Sequence, residues 1–83
     1  MRTSMRDHQQ NVRELQTFLR VLHYDHPHVR FLNPDGIFGP ETTQAVRASQ
    51  VIFGFPPTGR ADFSTWEALY DNYVVYTLVN PGR

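Results

Sequence analysis

The sequence of 83 residues contains no cysteine, no lysine and no long apolar run. The lack of cysteine excludes disulfides, thiolate nucleophiles and zinc–thiolate sites. No apolar segment approaches the roughly 20 residues that a membrane-spanning helix needs, and no signal peptide is visible at Met1. We therefore expect no membrane partner, and we expect any export signal of the parent protein to lie outside this chain.

The charges are balanced: the chain has eight arginines and eight acidic residues, and its formal net charge is zero. The arginines are scattered from Arg2 to Arg83 instead of forming the basic stripe that neutralises phosphates. We therefore expect no nucleic-acid partner. A chain of this length also has a thin core and little room for a preorganised active site with supporting residues.

An apolar stripe predicts a first helix over about residues 9–23. Its members recur at spacings of three and four residues: Val12, Leu15, Leu19 and Leu22. This assigns the polar residues Arg13, Gln16 and Arg20 to the opposite face of the helix. The polar, unpatterned residues before the stripe predict a flexible lead-in over residues 1–10.

Prolines and glycines set the limits of a second helix. Pro27 and Pro34 break the helical pattern after the first stripe, and Gly36 indicates a turn. Pro40 is suited to the first helical position and Gly54 to a C-terminal stop. The second helix is therefore predicted from Pro40 to Phe53.

Asp62 is a suitable N-cap for a third helix, whose apolar face includes Trp66, Leu69, Tyr70 and Tyr73. The following β-branched and aromatic segment, residues 74–79, fits either a longer helix or a strand. The prediction is a single all-α, three-helix domain over residues 11–79, with a tail over residues 80–83.

Two segments of the chain repeat each other at an offset of 23 residues. Residues 35–46 and residues 58–69 each contain a turn, a glycine, a short spacer and a helix start. Gly36 aligns with Gly59, and Thr42 aligns with Thr65. We interpret them as two similar loop–helix units.

A series of short motifs runs through all three predicted helices: Val12-x-x-Leu15-Gln16-x-x-Leu19, Asp35-Gly36-x-Phe38-Gly39-x-x-Thr42-x-x-Ala45-Val46, Gln50, and Thr58-Gly59-x-x-Asp62-x-x-Thr65-Trp66-x-x-Leu69. Their order and spacing resemble the peptidoglycan-binding domain family. The resemblance implies a three-helix bundle of the kind attached to cell-wall hydrolases, spore cortex-lytic enzymes and phage endolysins. A similar unit begins the propeptide of matrix metalloproteinases, where it does not bind cell wall.

The sequence departs from the family pattern in two helices. Ser49 stands before Gln50, where the family usually has phenylalanine, so we expect Phe53 or Phe55 to fill the space. The family often has glycine after the first helix, where this chain has His23. A side chain there would be strained if the backbone adopted positive φ.

The sequence does not favour a metal site, a hydrolytic active site or a DNA-binding helix-turn-helix. The cluster His23, His26 and His28 is predicted in a proline-containing loop, which favours solvated histidines over a metal site.

Asp35, Glu41 and Asp62 fit turns and helix starts better than a catalytic carboxylate pair, and no base accompanies Ser49 or Ser64. A helix-turn-helix would need a tighter connector than residues 54–61, which contain two prolines. We expect no enzyme activity, cofactor or metal.

The remaining role is binding, and the resemblance implies peptidoglycan as the ligand. Aromatic and arginine side chains near the two loop–helix units are the candidate contacts: Phe38, Arg47, Trp66, Tyr70 and Tyr73. At motif positions Phe38 and Trp66 are more often core residues, whereas Tyr70 and Arg47 are better candidates for exposure. The hypothesis is a monomeric extracellular or cell-wall module that targets an attached or partner catalytic domain to the wall. The alternative is a protein–protein or intramolecular packing module with no wall ligand.

Overall fold

Three helices form the structure, a computed structural model that describes residues 5–81 and the side chains of residues 9–81. They are α1 (Met5–Asp25), α2 (Pro40–Phe53) and α3 (Phe63–Val79). The described part of the chain contains no strand, so the all-α three-helix prediction is confirmed. Residues 74–79, which fitted a helix or a strand, are the last turns of α3.

The first helix is longer than predicted at both ends. It begins at Met5, so residues 5–10 are helical instead of an unpatterned lead-in, and residues 1–4 lie outside the described residues. Methionine, arginine and glutamine have high helix propensity, which outweighs the missing apolar pattern. The helix continues past His23 to Asp25, shortly before Pro27. No described residue other than glycine has positive φ, so His23 carries no such strain.

The other two helices have the predicted starts. Pro40 is the first residue of α2, and Gly54 ends it in the left-handed conformation with φ 78°. Asp62 caps α3 by accepting a hydrogen bond from the Thr65 backbone N–H at 3.0 Å. None of the helices in the described residues is long and apolar enough to cross a membrane.

The core is formed by all three helices together with the segment between α1 and α2 (residues 26–39). Its buried members are Leu15, Phe18, Leu19, Leu22, Val29, Leu32, Ala45, Val46 and Leu69. Val29 and Leu32 come from the segment between α1 and α2. Phe53 packs against this core, and its ring centroid lies 6.1 Å from that of Phe55. Ser49 is buried, and its hydroxyl donates to the Val46 carbonyl at 2.7 Å.

Candidate functional site

The side chain of Gln16 holds the loop that leads into α2, which we call the first junction (residues 35–42). Its Nε2 lies within donor distance of Asp35 Oδ1 at 3.0 Å, the Ile37 carbonyl at 2.9 Å and Thr42 Oγ1 at 3.0 Å. Its Oε1 accepts from the Gly36 N–H at 3.0 Å. Only 2% of Gln16 is exposed, so its assignment to the polar face of the first helix was wrong.

Gln50 holds the loop that leads into α3 with the same set of bonds, and we call this loop the second junction (residues 58–65). Its Nε2 lies within donor distance of Thr58 Oγ1 at 3.2 Å, the Arg60 carbonyl at 2.8 Å and Thr65 Oγ1 at 3.1 Å. Its Oε1 accepts from the Gly59 N–H at 2.9 Å. The two loop–helix units found in the sequence are therefore structurally equivalent.

The equivalence extends into the helices that supply the two glutamines. Residues 10–16 and residues 44–50 both read Gln-x-Val-Arg-x-x-Gln, at an offset of 34. This repeat could have been found in the sequence, but it is shifted by 11 residues from the loop repeat at offset 23. The difference arises because Gln16 and Gly36 are 20 residues apart, whereas Gln50 and Gly59 are nine apart.

A glycine with φ 81° lies at the same place in each junction, against an arginine of the preceding helix. A Cβ on Gly36 would stand 3.3 Å from Arg13 Nε, and one on Gly59 would stand 3.0 Å from Arg47 Nε. Arg47, a predicted ligand residue, is exposed and packs along the second junction.

Asp35 and Asp62 bind backbone N–H groups at a turn and at a helix start, as predicted. Asp35 accepts from the Ile37 N–H at 2.9 Å, and this bond, followed by that from Gln16, lowers the pKa of its carboxyl. The Thr65 backbone N–H, followed by the Thr65 hydroxyl, lowers the pKa of Asp62. Glu41 forms an exposed ion pair with Arg30 at 3.2 Å.

A first groove, which we call the tryptophan groove, lies where the two junctions approach the start of α1. Its volume is about 390 Å³, and its lining is mainly apolar: Asn11, Val12, Leu15, Phe38, Gly59, Arg60, Ala61 and Trp66. Phe38 is 39% exposed and outside the core, so the expectation that it is a core residue was wrong. Trp66 is half-buried and packs against the core, so only part of its ring is open to the groove.

A second groove, which we call the tyrosine groove, lies between the later turns of α1 and of α3. It has a volume of about 470 Å³ and is lined by Thr17, Arg20, Val21, Tyr24, Pro34, Tyr73, Tyr76 and Thr77. The rings of Tyr24 and Tyr76 stack with centroids 5.8 Å apart and an interplanar angle of 24°. A groove that combines an arginine with several tyrosines is suited to a polar ligand with apolar faces.

Three of the five predicted contacts gather around the buried ring of Phe18. The ring centroids of Trp66, Tyr70 and Tyr73 lie 5.6, 5.7 and 5.0 Å from it. Tyr70 is 49% exposed and lines neither groove. The structure therefore places Phe38 and Trp66 in the tryptophan groove and Tyr73 in the tyrosine groove, whereas Arg47 and Tyr70 line neither.

The three predicted loop histidines have structural neighbours, but only His26 and His28 lie in the loop, because His23 belongs to the last turn of α1. His23 Nδ1 lies 2.6 Å from the Val29 carbonyl, and its ring packs on Tyr24 and Phe31. The rings of His26 and His28 are 6.0 Å apart. Within the described residues, no group of three histidine, cysteine or acidic side chains is placed to hold a metal ion.

The end of α3 carries exposed apolar side chains instead of an amphipathic face. Val75, Leu78 and Val79 are 59%, 76% and 72% exposed. No single core-facing stripe explains this part of the helix, and we call the three residues the α3 apolar end.

A comparison with protein families gives a match over residues 8–69 to the family described as "Putative peptidoglycan binding domain". This segment is most of the chain and contains both junctions. The chain belongs to this peptidoglycan-binding domain family. The matched segment contains the whole lining of the tryptophan groove. The tyrosine groove depends in part on Tyr73, Tyr76 and Thr77, which lie beyond it.

A curated relative shares part of this peptidoglycan-binding domain sequence. It is described as "Putative OxPP cycle protein OpcA" of Synechococcus elongatus, and it is 40% identical over 60 residues. The alignment covers 72% of this chain but only 12% of the relative, so the chain spans about an eighth of that protein. No solved structure matches the chain.

Proposed function

We propose that this chain is a non-catalytic module that binds bacterial peptidoglycan and places an attached or partner domain at the cell wall. The observation that carries the proposal is the family match over residues 8–69, because that segment builds both junctions and the tryptophan groove between them. Binding raises the effective concentration of the attached domain near its substrate. The site of action would then be extracellular, at the wall.

The tryptophan groove is the first candidate for the glycan. Phe38 of the first junction and Trp66 of α3 present aromatic surface to the groove, and most of its remaining lining is apolar. Aromatic rings pack on the apolar C–H faces of sugar rings, and polar groups at the margin fix the orientation of a ligand. Asn11 and Arg60 supply such polar groups. Arg47 and Tyr70 are exposed and are proposed as additional contacts.

Co-sedimentation with purified sacculi tests the proposal. The chain should pellet with sacculi, and Phe38→Ala should lower the bound fraction severalfold because it removes ring surface from the groove. Phe63→Ala is the matched control, since Phe63 is 77% exposed and lines neither groove. Failure of the unmodified chain to pellet, at concentrations where a known wall binder does, would contradict the proposal.

The α3 apolar end favours a second candidate function, packing against another protein surface. Exposed apolar groups that lie together are typical of protein interaction sites. If packing is the function, the chain should not bind sacculi, and it should associate through Leu78 in sedimentation-velocity experiments. Leu78→Ser would then reduce association. If the wall is the ligand, Leu78→Ser should leave sacculus binding unchanged while Phe38→Ala weakens it.

A further inference from the structure

The tyrosine groove carries one positive charge and no negative one. Arg20 is the charged residue of its lining, which contains neither aspartate nor glutamate. Among the described residues, ion pairing within 4 Å is confined to Arg30 and Glu41, so the Arg20 guanidinium has no carboxylate partner there. The groove is therefore complementary in charge to an anionic group.

The guanidinium is held in place by an aromatic ring. Arg20 Cζ lies 4.6 Å from the centroid of the Phe31 ring, which is itself packed against His23. One face of the guanidinium is thus covered by a cation–π contact, and its N–H groups remain at the edge. A planar donor fork of this kind matches the two oxygens of a carboxylate.

Each of the three tyrosines of the groove packs against another aromatic ring. Tyr24 and Tyr76 stack on each other, and the Tyr73 ring lies against Phe18. A sugar ring packs best on a fully exposed aromatic face, and part of each of these rings is already covered. Val21 and Pro34 complete an apolar floor. The lining therefore fits a short aliphatic chain that ends in, or carries, a carboxylate.

We propose that the tyrosine groove is a carboxylate-binding subsite that takes the peptide of peptidoglycan, while the tryptophan groove takes the glycan. This proposal rests on the peptidoglycan function proposed above. Short wall peptides combine small aliphatic side chains with free carboxylates, and these groups are complementary to the apolar lining and the arginine of the groove. Because Tyr73, Tyr76 and Thr77 lie beyond residues 8–69, this subsite would be a feature of the extended α3 of this chain.

A titration of the full chain, followed by ¹H–¹⁵N NMR, tests the proposal. The probes are the tripeptide L-alanyl-γ-D-glutamyl-L-lysine, the same peptide with its carboxylates amidated, and tetra-N-acetylchitotetraose. The free-acid peptide should shift the amide signals of Arg20, Tyr24 and Tyr76, and the amidated peptide should bind at least tenfold more weakly. Chitotetraose should instead shift the signals of Phe38 and Ala61.

Variants separate the charge of Arg20 from its packing. Arg20→Gln should raise the dissociation constant of the free-acid peptide about tenfold or more, because a charged hydrogen bond is replaced by a neutral one. Arg20→Lys should restore part of the affinity. Arg30→Gln, which removes an exposed arginine outside the groove, should leave peptide binding unchanged and is the matched control. The dispersion of the NMR spectrum verifies that each variant is folded.

The outcomes distinguish this inference from the function on which it rests. If sacculi and chitotetraose bind but the tripeptide shifts no signal in the tyrosine groove, the subsite is overturned and the wall function stands. Equal affinities for the free-acid and amidated peptides would also overturn it. If no wall preparation and no probe binds, both proposals are overturned. Selective binding of the free-acid peptide that is lost in Arg20→Gln supports the subsite.

Discussion

The two junctions share their glutamine, glycine and threonine but place their aspartate differently. In the first, Asp35 accepts from the clamping glutamine and from the backbone N–H two residues ahead. In the second, the hydroxyl of Thr58 accepts both of the corresponding bonds, from Gln50 and from the Arg60 N–H. The aspartate of this junction, Asp62, is instead the N-cap of α3. The helix after the first junction begins with Gly39 as N-cap and has no side-chain cap.

The residues common to both copies indicate which part of the unit the fold requires. A buried glutamine that both donates and accepts is present in both copies, as is a glycine with positive φ. The acceptor at the turn can be a carboxylate or a hydroxyl, because each has an oxygen at the right place to bind a backbone N–H. A junction therefore requires its glycine and the glutamine that binds it from the preceding helix, whereas the charge of the residue at its turn can vary.

Replacement of either clamping glutamine by glutamate should give the largest effect, and the two replacements should differ. Gln16→Glu places a buried carboxylate against that of Asp35 and against the Ile37 carbonyl, and it should cost about 4 kcal/mol or more at pH 7. Gln50→Glu meets two hydroxyls and a carbonyl but no carboxylate, and should cost about 2 kcal/mol. Urea denaturation of the two variants measures the difference.

The pH dependence of the free energies of unfolding of these two glutamate variants provides the control. An introduced carboxylate in the first junction should have a raised pKa in the folded state, so its penalty is smallest at low pH and grows as pH rises. The gap between the two variants should therefore narrow at pH 4.5. Equal destabilisation by both variants at pH 7 would show that Asp35 does not determine the asymmetry.

Alanine at the positive-φ glycines should give the next largest effects. Gly54 has φ 78° with no neighbour within 4 Å of an added Cβ, so Gly54→Ala measures backbone strain alone, about 1–2 kcal/mol. Gly36→Ala adds contacts at 3.3 Å, and Gly59→Ala adds a contact of 2.9 Å with Thr43 Cγ2. The expected order of destabilisation is Gly59, Gly36, Gly54, measured as the free energy of unfolding. A Gly54→Ala variant as unstable as Gly59→Ala would exclude the steric explanation.

The acid limb of the stability curve should show the smallest effect. The pKa values of Asp35 and Asp62 are lowered in the folded state from 3.8, so their stabilisation is complete above that pH and is lost as pH falls below it. Asp35→Asn keeps an acceptor oxygen but removes the titration, so its melting temperature should fall less steeply as the pH decreases below 3.8.

Asp71→Asn, on the exposed face of α3 and outside both junctions, is the control for that experiment. Its acid limb should follow that of the unmodified chain. A flattening as large as that of Asp35→Asn would mean that general charge repulsion, and not the hydrogen bonds of the junction, governs acid unfolding.

Local patterns were enough to predict α2 and the cap of α3, because Pro40, Gly54 and Asp62 act within one turn of the chain. The start of α1 was not predictable from apolar spacing, since residues 5–10 are helical with no apolar stripe. Gln16 was placed on the wrong face because a buried amide has no apolar signature. Only the position of the loop, 20 residues away, satisfies it.

The candidate site was predictable in residue type but not in arrangement. Aromatic and arginine residues were identified, yet Phe38 faces a groove and Tyr70 lines none. The tyrosine groove was missed because Arg20 and Tyr24 come from α1 whereas Tyr76 comes from α3. Nothing in the spacing of these residues indicates that two distant helices meet there.

The number of residues between each glutamine and the glycine that it binds also affects the unfolded chain. The bond from Gln50 to Gly59 closes a loop of nine residues, and that from Gln16 to Gly36 closes one of 20. Closure of the longer loop costs about 0.7 kcal/mol more conformational entropy, from the logarithmic dependence on length. Two junctions with nearly the same bonds therefore differ in how often they form before folding is complete, and the C-terminal one meets its glutamine more often.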